Sequence, residues 1–166
     1  RGIWGPEKGT IFYVQDKDLN YNLYRKNTIT QEVTQLTENG ANYMQLSPDG
    51  QFLYFNVFDK KGLWRIDLRS GQKELIIAEF SEQNYEFWQC SDKGIYFTQL
   101  DDKAGLFYMD FERFDVNSLI TDVDIKHFHV GNGRLLASVI QQEEGDIYLA
   151  ELGKVDKRAN RMTKGQ

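Results

Sequence analysis

What this chain has little of narrows it first. Its one cysteine, Cys90, excludes an internal disulfide and fixes no compartment. No apolar run approaches the roughly 20 residues that cross a bilayer as a helix, and no signal peptide opens the chain. No membrane segment is therefore expected within it. Positive charge is also scarce: 20 Lys and Arg stand against 25 Asp and Glu, a net charge of −5. Such a balance gives no general attraction to phosphate backbones, so nucleic acid is not an expected partner. There is no Gly-x-Ser-x-Gly elbow, and the only two histidines have no evident serine or cysteine partner. Gly131-Asn132-Gly133 reads as a hairpin, without the strand-to-helix setting that makes a glycine loop cradle phosphate. These absences argue against an enzyme, and no cofactor is expected.

Aromatic residues are plentiful at 14%, and most are Tyr and Phe, which favour strands. The chain is 40% hydrophobic over 166 residues, enough for one domain with a real core. A period near 40 residues runs through it, the mark of propellers and solenoids. Gly9, Gly50, Gly94 and Gly133 each precede an apolar strand, for example Gln51-Phe-Leu-Tyr-Phe55. A second column follows about 13 residues later: Leu23-Tyr24, Leu63-Trp64, Leu106-Phe107 and Ile147-Tyr148. Four positions beyond each aliphatic member stands a polar residue, Asn27, Asp67, Asp110 or Glu151. Two columns in step over four copies define a structural repeat whose aromatic members are Tyr24, Trp64, Phe107 and Tyr148; of the candidate ligand platforms Trp64 and Trp88, Trp64 belongs to this column and is read as packing between blades.

The second copy is the clearest. Its strands fall at 42–46, 51–57, 63–69 and 73–77, separated by turns short enough for antiparallel hairpins. In Ser47-Pro48-Asp49-Gly50 the proline presets φ for a type I turn and Gly50 takes the left-handed position after it. The third copy places its first strand at 85–90 and lacks the proline, so its first turn is expected to be looser. Strands apolar on both faces, as in Phe52-Leu-Tyr-Phe55, suit sheets packed on either side. The fold expected is all-β: four four-stranded antiparallel propeller blades at about 2–37, 42–77, 84–121 and 126–152, a partial or small propeller, then a polar basic tail over 153–166.

Leu46-Ser-Pro-Asp-Gly-Gln-Phe-Leu-Tyr-Phe55 followed by Gly62-Leu-Trp-Arg-Ile-Asp-Leu68 resembles the WD40-like PD40 repeat of TolB-type and peptidase-associated propellers and of bacterial regulators. The form Gly62 to Gly71, with the ending Gly145-Asp-Ile-Tyr-Leu149, most resembles the C-terminal propeller of membrane-anchored winged-helix transcriptional regulators of the CadC and ToxR kind. That resemblance implies a sensory or interaction module in the periplasm, with DNA-binding and membrane parts elsewhere on a longer chain. The start at Arg1, without methionine, fits a piece of a longer protein. A TolB-like periplasmic scaffold for proteins of the cell envelope is the alternative, and the propeller of a serine peptidase lacking its hydrolase domain comes after it.

Candidate sites are few. His127 and His129 share a strand face but lack a third ligand nearby in sequence, and Asp16-Lys-Asp-Leu-Asn20 opens like a calcium loop but has Tyr21 where glycine is needed and Asn27 in place of the bidentate glutamate. No metal is expected at either. Cys90 reads as an inert strand residue. Blade topology, however, gathers the strand 2 to 3 turns and the inter-blade links at one end, where acids dominate: Asp16, Asp18, Asp59, Asp101, Asp102, Glu143 and Glu144 among them. One acidic face is therefore expected, suited to a basic protein or small cationic ligand. The fourth copy shows no convincing outer strand after Leu152, and an edge left open there would favour homo-oligomers joined through the terminal blades.

Overall fold

The computed structural model describes residues 2–17, 20–131, 133–141, 144–151 and 160–161, with side chains described within 2–16, 20–131 and 133–139. Strands β1 (Gly2–Trp4), β2 (Thr10–Lys17), β3 (Asn20–Asn27) and β4 (Val33–Gln35) form one sheet. A second contains β5 (Met44–Leu46), β6 (Phe52–Val57), β7 (Lys60–Asp67) and β8 (Lys73–Ile77), and a third β9 (Trp88–Cys90), β10 (Gly94–Leu100), β11 (Lys103–Asp110) and β12 (Val116–Thr121). The last holds β13 (Asp124–Gly131), β14 (Arg134–Gln141), β15 (Glu144–Glu151) and β16 (Asn160–Arg161). Every sheet is an antiparallel meander in chain order, as the repeat requires. The one helical element among the described residues is a single 3₁₀ turn, Glu82–Asn84.

The chain divides into two compact units, 1–86 and 87–166, each with two sheets. In the first, Phe12 and Leu23 of one sheet share a core with Met44, Leu53, Phe55 and Ile66 of the next. In the second, Tyr96 and Leu106 pack with Ile125, Leu135, Ala137 and Val139. The second strands β6 and β10 are buried along four or five consecutive positions, hence on both faces, whereas outer strand β4 is exposed throughout. The repeat column divides by alternation. Its aliphatic members Leu23, Leu63 and Leu106 are 0% exposed, and each such burial stabilises by about 1.5–3 kcal/mol. The aromatic members pair across the hairpin with the second strand: Tyr24 with Tyr13, Trp64 with Phe55, Phe107 with Phe97. The first and last of these pairs stack at 5.6 Å between ring centres. Trp64 is half-buried against the shared core of the first unit, and Tyr148 lies in β15 opposite Ala137.

The Ser-Pro-Asp-Gly tip forms as expected. Gly50 stands at φ 72° and its amide donates to the Ser47 carbonyl at 2.9 Å, while the Asp49 carboxylate accepts from the Ser47 hydroxyl and the Gln51 amide. Gly9 and Gly133 share the left-handed conformation, but Gly94 does not. Gly94 is needed for space instead: a Cβ there would lie 2.1 Å from the Met109 carbonyl oxygen and against the Tyr108 ring. With the proline absent, Ser91 organises that turn through its hydroxyl, which donates to the Gly94 carbonyl.

Two sequence expectations need correction. The third blade's first strand begins at Trp88 rather than at 85, because Tyr85 follows the 3₁₀ turn at φ 39°. The fourth blade is not left with three strands either. Asn160 and Arg161 pair with Leu149 and Tyr148, so the segment read as a tail contributes an outer strand. An outer strand can be polar and exposed, as β4 (Val-Thr-Gln) is, so a polar two-residue strand leaves no trace in a hydrophobic pattern. The open β15 edge that motivated self-association is covered at those two positions.

Candidate binding end and pocket

Each meander has two ends, and their turns differ in chemistry. At the end that carries the strand 3 to 4 hairpins, three copies repeat one device. The side-chain oxygen of Asn27 accepts from the amides of Ile29 and Thr30, that of Asp67 from Arg69 and Ser70, and that of Asp110 from Glu112 and Arg113, all within 2.8–3.1 Å. Four residues on, Gln31, Gly71 and Phe114 turn the chain left-handed. These are the polar members of the repeat, and their role is to satisfy backbone donors in the turn. The amides hold the Asp67 and Asp110 carboxyls below the usual range. For Asp49 the Ser47 hydroxyl does so first and the Gln51 amide second. Tyr108 is pushed up to about 12, mainly by burial, with Tyr96 and Asp110 adding to it; its hydroxyl donates to the Lys93 carbonyl.

The opposite end shows two of its turns within the described residues. Its strand 2 to 3 turns include Phe58-Asp59 and Asp101-Asp102, in which Asp59 and Asp101 stand at φ 52° and 55°. Asp16 closes on Tyr21 across the β2–β3 hairpin. Asp18 and Glu143 lie outside the described residues, and Glu144 is placed by its backbone alone, opposite Gln141 at the start of β15. In the second unit the link after β12 returns to the same end, where the Asp122 amide donates to the Ala104 carbonyl beside the Asp101-Asp102 turn. Asp124 is ion-paired with Lys126, which removes it from the free charge of that end. The structure thus brings Asp16 and Asp59 to one end of the first unit, and Asp101 and Asp102 to the corresponding end of the second.

His127 and His129 are both exposed on β13, where His127 packs edge-on against Phe87 at 6.0 Å. Among the described residues no three His, Cys, Asp or Glu side chains cluster as metal ligands. The two halves of the calcium-like segment, Asp16-Lys17 and Asn20-Tyr21, are paired across β2 and β3.

The sequence did not reveal a cavity of about 580 Å³ at this end of the first unit. It is lined by Asn20, Tyr21, Val57, Phe58 and the link residues Asn39, Gly40, Ala41 and Asn42. Two buried asparagines fix its walls. Asn22 accepts from the Thr37 hydroxyl and the Gly40 amide, and Asn56 accepts from the Tyr43 amide while donating to the Tyr85 carbonyl. The signal available was the polar link Glu38-Asn-Gly-Ala-Asn42, which reads merely as a turn.

No protein-family model matches the chain, and no curated protein matches it. Solved structures do. The chain is similar to TolB from Acinetobacter baumannii (15% identity, 93% of this chain and 42% of that one, TM-score 0.67). It is also similar to the β-propeller domain of the Trilobed protease from Pyrococcus furiosus (15% identity, 95% and 55%, TM-score 0.64) and to oligopeptidase B from Leishmania major (15%, 100% and 27%, TM-score 0.67). The fold is that of β-propeller blades. The likeness is to propellers of the TolB and peptidase kind, as the PD40 motif implies, and at such identity it speaks for the fold alone. The chain spans less than two thirds of each of these proteins.

Proposed function

We propose that these blades form a non-enzymatic interaction module that binds through the end bearing the strand 2 to 3 turns. The observation that carries this reading is the contrast between ends: one spends the side-chain oxygens of Asp67 and Asp110 on its own backbone, while the other exposes Asp59 next to Phe58 in the first unit and Asp102 in the second. Side chains left over from folding are those available to a partner. The acidic character favours a basic protein or cationic ligand. A non-catalytic role is supported by the causes of the perturbed ionisations among the described residues: those of the aspartates arise in hairpin caps and those of Tyr96 and Tyr108 mainly from burial.

Two finer readings place the module in the periplasm. As a TolB-like scaffold it would bind proteins of the cell envelope, a reading supported by likeness to TolB from both Acinetobacter baumannii and Agrobacterium tumefaciens. As the sensory part of a membrane-anchored winged-helix regulator it would report a signal to DNA, a reading supported by the Gly62–Leu68 strand and its Ser-Gly turn. Site-specific photo-cross-linking tests the common core: a benzophenone side chain at Phe58 or Asp102 should capture one protein of defined mass, and at Glu112 or Ile29 none. Capture from the second pair alone, or hydrolysis of peptide substrates by the purified chain, would overturn it.

A further inference from the structure

We propose that the asparagine-lined cavity of the first unit is a binding site for a neutral saccharide. Its volume, about 580 Å³, lies within the range of small-ligand sites, roughly 300–1,000 Å³. The lining contains no charged side chain. Three of its side chains, Asn20, Asn39 and Asn42, make no hydrogen bond to any described residue, so their amides are available to a ligand. A carboxamide both donates and accepts, which matches a hydroxyl that does the same. Beside them stand aromatic rings that folding has not buried: Tyr21 is 40% exposed and Phe58 51%. Tyr85, 39% exposed, packs on Phe58 at 6.0 Å and extends that platform. An aromatic face next to amides suits a pyranose, with an aliphatic C–H face and a rim of hydroxyls.

Other ligand chemistries fit less well. An anion would meet no cation among the lining residues. A purely apolar ligand would bury three amides without partners, at about 1–3 kcal/mol each. A cationic peptide would find no carboxylate among the lining residues, so the acidic positions recognise their partner outside this cavity. The walls are set in advance. Asn22 and Asn56 tie the 36–43 link to β3 and β6, and Gly40, at φ 95°, leaves room that a Cβ would take from Val57 at 2.9 Å. A preformed site loses less on binding.

The site does not depend on the protein-binding reading, and its test is separate. Amide chemical shifts of the whole chain are followed while cellobiose or chitobiose is added, with digalacturonate and a decalysine peptide as charged probes. Either neutral disaccharide should move the amides of 39–42 and 57–58 and saturate near the millimolar range, around −4 kcal/mol. Phe58→Ala and Asn39→Ala, both at exposed positions, should each weaken this at least tenfold while the remaining spectrum stays dispersed. Asp101→Asn, in the other unit, should leave it unchanged. No shift at about 10 mM of either disaccharide, or shifts of the same amides with digalacturonate or decalysine instead, would overturn the proposal.

Discussion

The two ends of the blades are built from the same strands and obey different rules. At the strand 3 to 4 end, Asn27, Asp67 and Asp110 do one job three times, and the backbone absorbs their hydrogen-bonding capacity. At the strand 2 to 3 end the two described turns, Phe58-Asp59 and Asp101-Asp102, differ in sequence, acidic side chains stay exposed in both, and in the first unit the cavity lies at Phe58. The difference teaches that repetition within a chain marks what folding needs, whereas departure from the repeat marks where binding can be accommodated.

Both ends hang from the same middle, so the largest effect should come from cutting it. Leu63 is 0% exposed on β7, midway between Asp67 and the Phe58-Asp59 turn. Leu63→Ala should cost about 2–5 kcal/mol in urea unfolding. It should loosen both ends together; a loss under about 1 kcal/mol would mean that the site collapses freely and that the aliphatic column does not hold the blades. Trp64→Ala, at a half-buried neighbour, should cost less than Leu63→Ala, and the reverse order would make the aromatic column the true core.

The next effect separates the ends by chemistry. If Asp67 acts only by accepting from two amides, Asp67→Asn should keep the melting temperature close to that of the parent, since Asn27 does the same work, while Asp67→Ala should lower it. Equal losses in the two variants would show that charge, not turn geometry, is what matters. Acid unfolding gives the matching pH test. Asp49, Asp67 and Asp110 have folded pKa values below the unfolded value of about 3.9, so their contribution is present above that pH and is lost as pH falls through the folded values. Asp67→Asn with Asp110→Asn should therefore flatten the stability profile below about pH 4 and leave it unchanged near neutrality.

How legible all this was depends on which rule a residue obeys. The sheets could be read because β6 and β10 are buried on both faces and their hairpins use turn residues with specific φ, as at Gly50. The polar column at Asn27, Asp67 and Asp110 was visible as a spacing, yet its work as an acceptor for two amides was not, since that depends on a turn geometry that no single residue declares. Gly94 looked like Gly50 in sequence and serves a different need, the approach of the Met109 carbonyl. β16 could not be seen, because two polar residues on an outer strand have no periodicity to show. The placement of Asp59, Asp101 and Asp102 in strand 2 to 3 turns followed from the repeat. The cavity did not, because Asn39 and Asn42 meet Asn20 and Phe58 only when the link folds back over two sheets.

The smallest effect on stability should fall at the unrepeated end. Asp101 and Asp102 form a two-residue turn between Leu100 and Lys103, and Asp101 takes a left-handed φ of 55° that asparagine also tolerates. Asp101→Asn with Asp102→Asn should therefore keep the turn, and any loss of melting temperature should stay below that of Asp67→Ala. Binding should respond where folding does not. A decalysine peptide should bind the parent chain more weakly as salt rises across the Debye regime, and the double variant should bind it several-fold more weakly at low salt. The matched control sits at the repeated end, where Glu112→Gln with Asp115→Asn removes the same two charges from the hairpin that Asp110 caps. That control should have no comparable effect on the peptide. If the two double variants weaken binding equally, the peptide senses only net charge; the acidic end then loses its claim as a docking face, although the contrast in turn chemistry would stand.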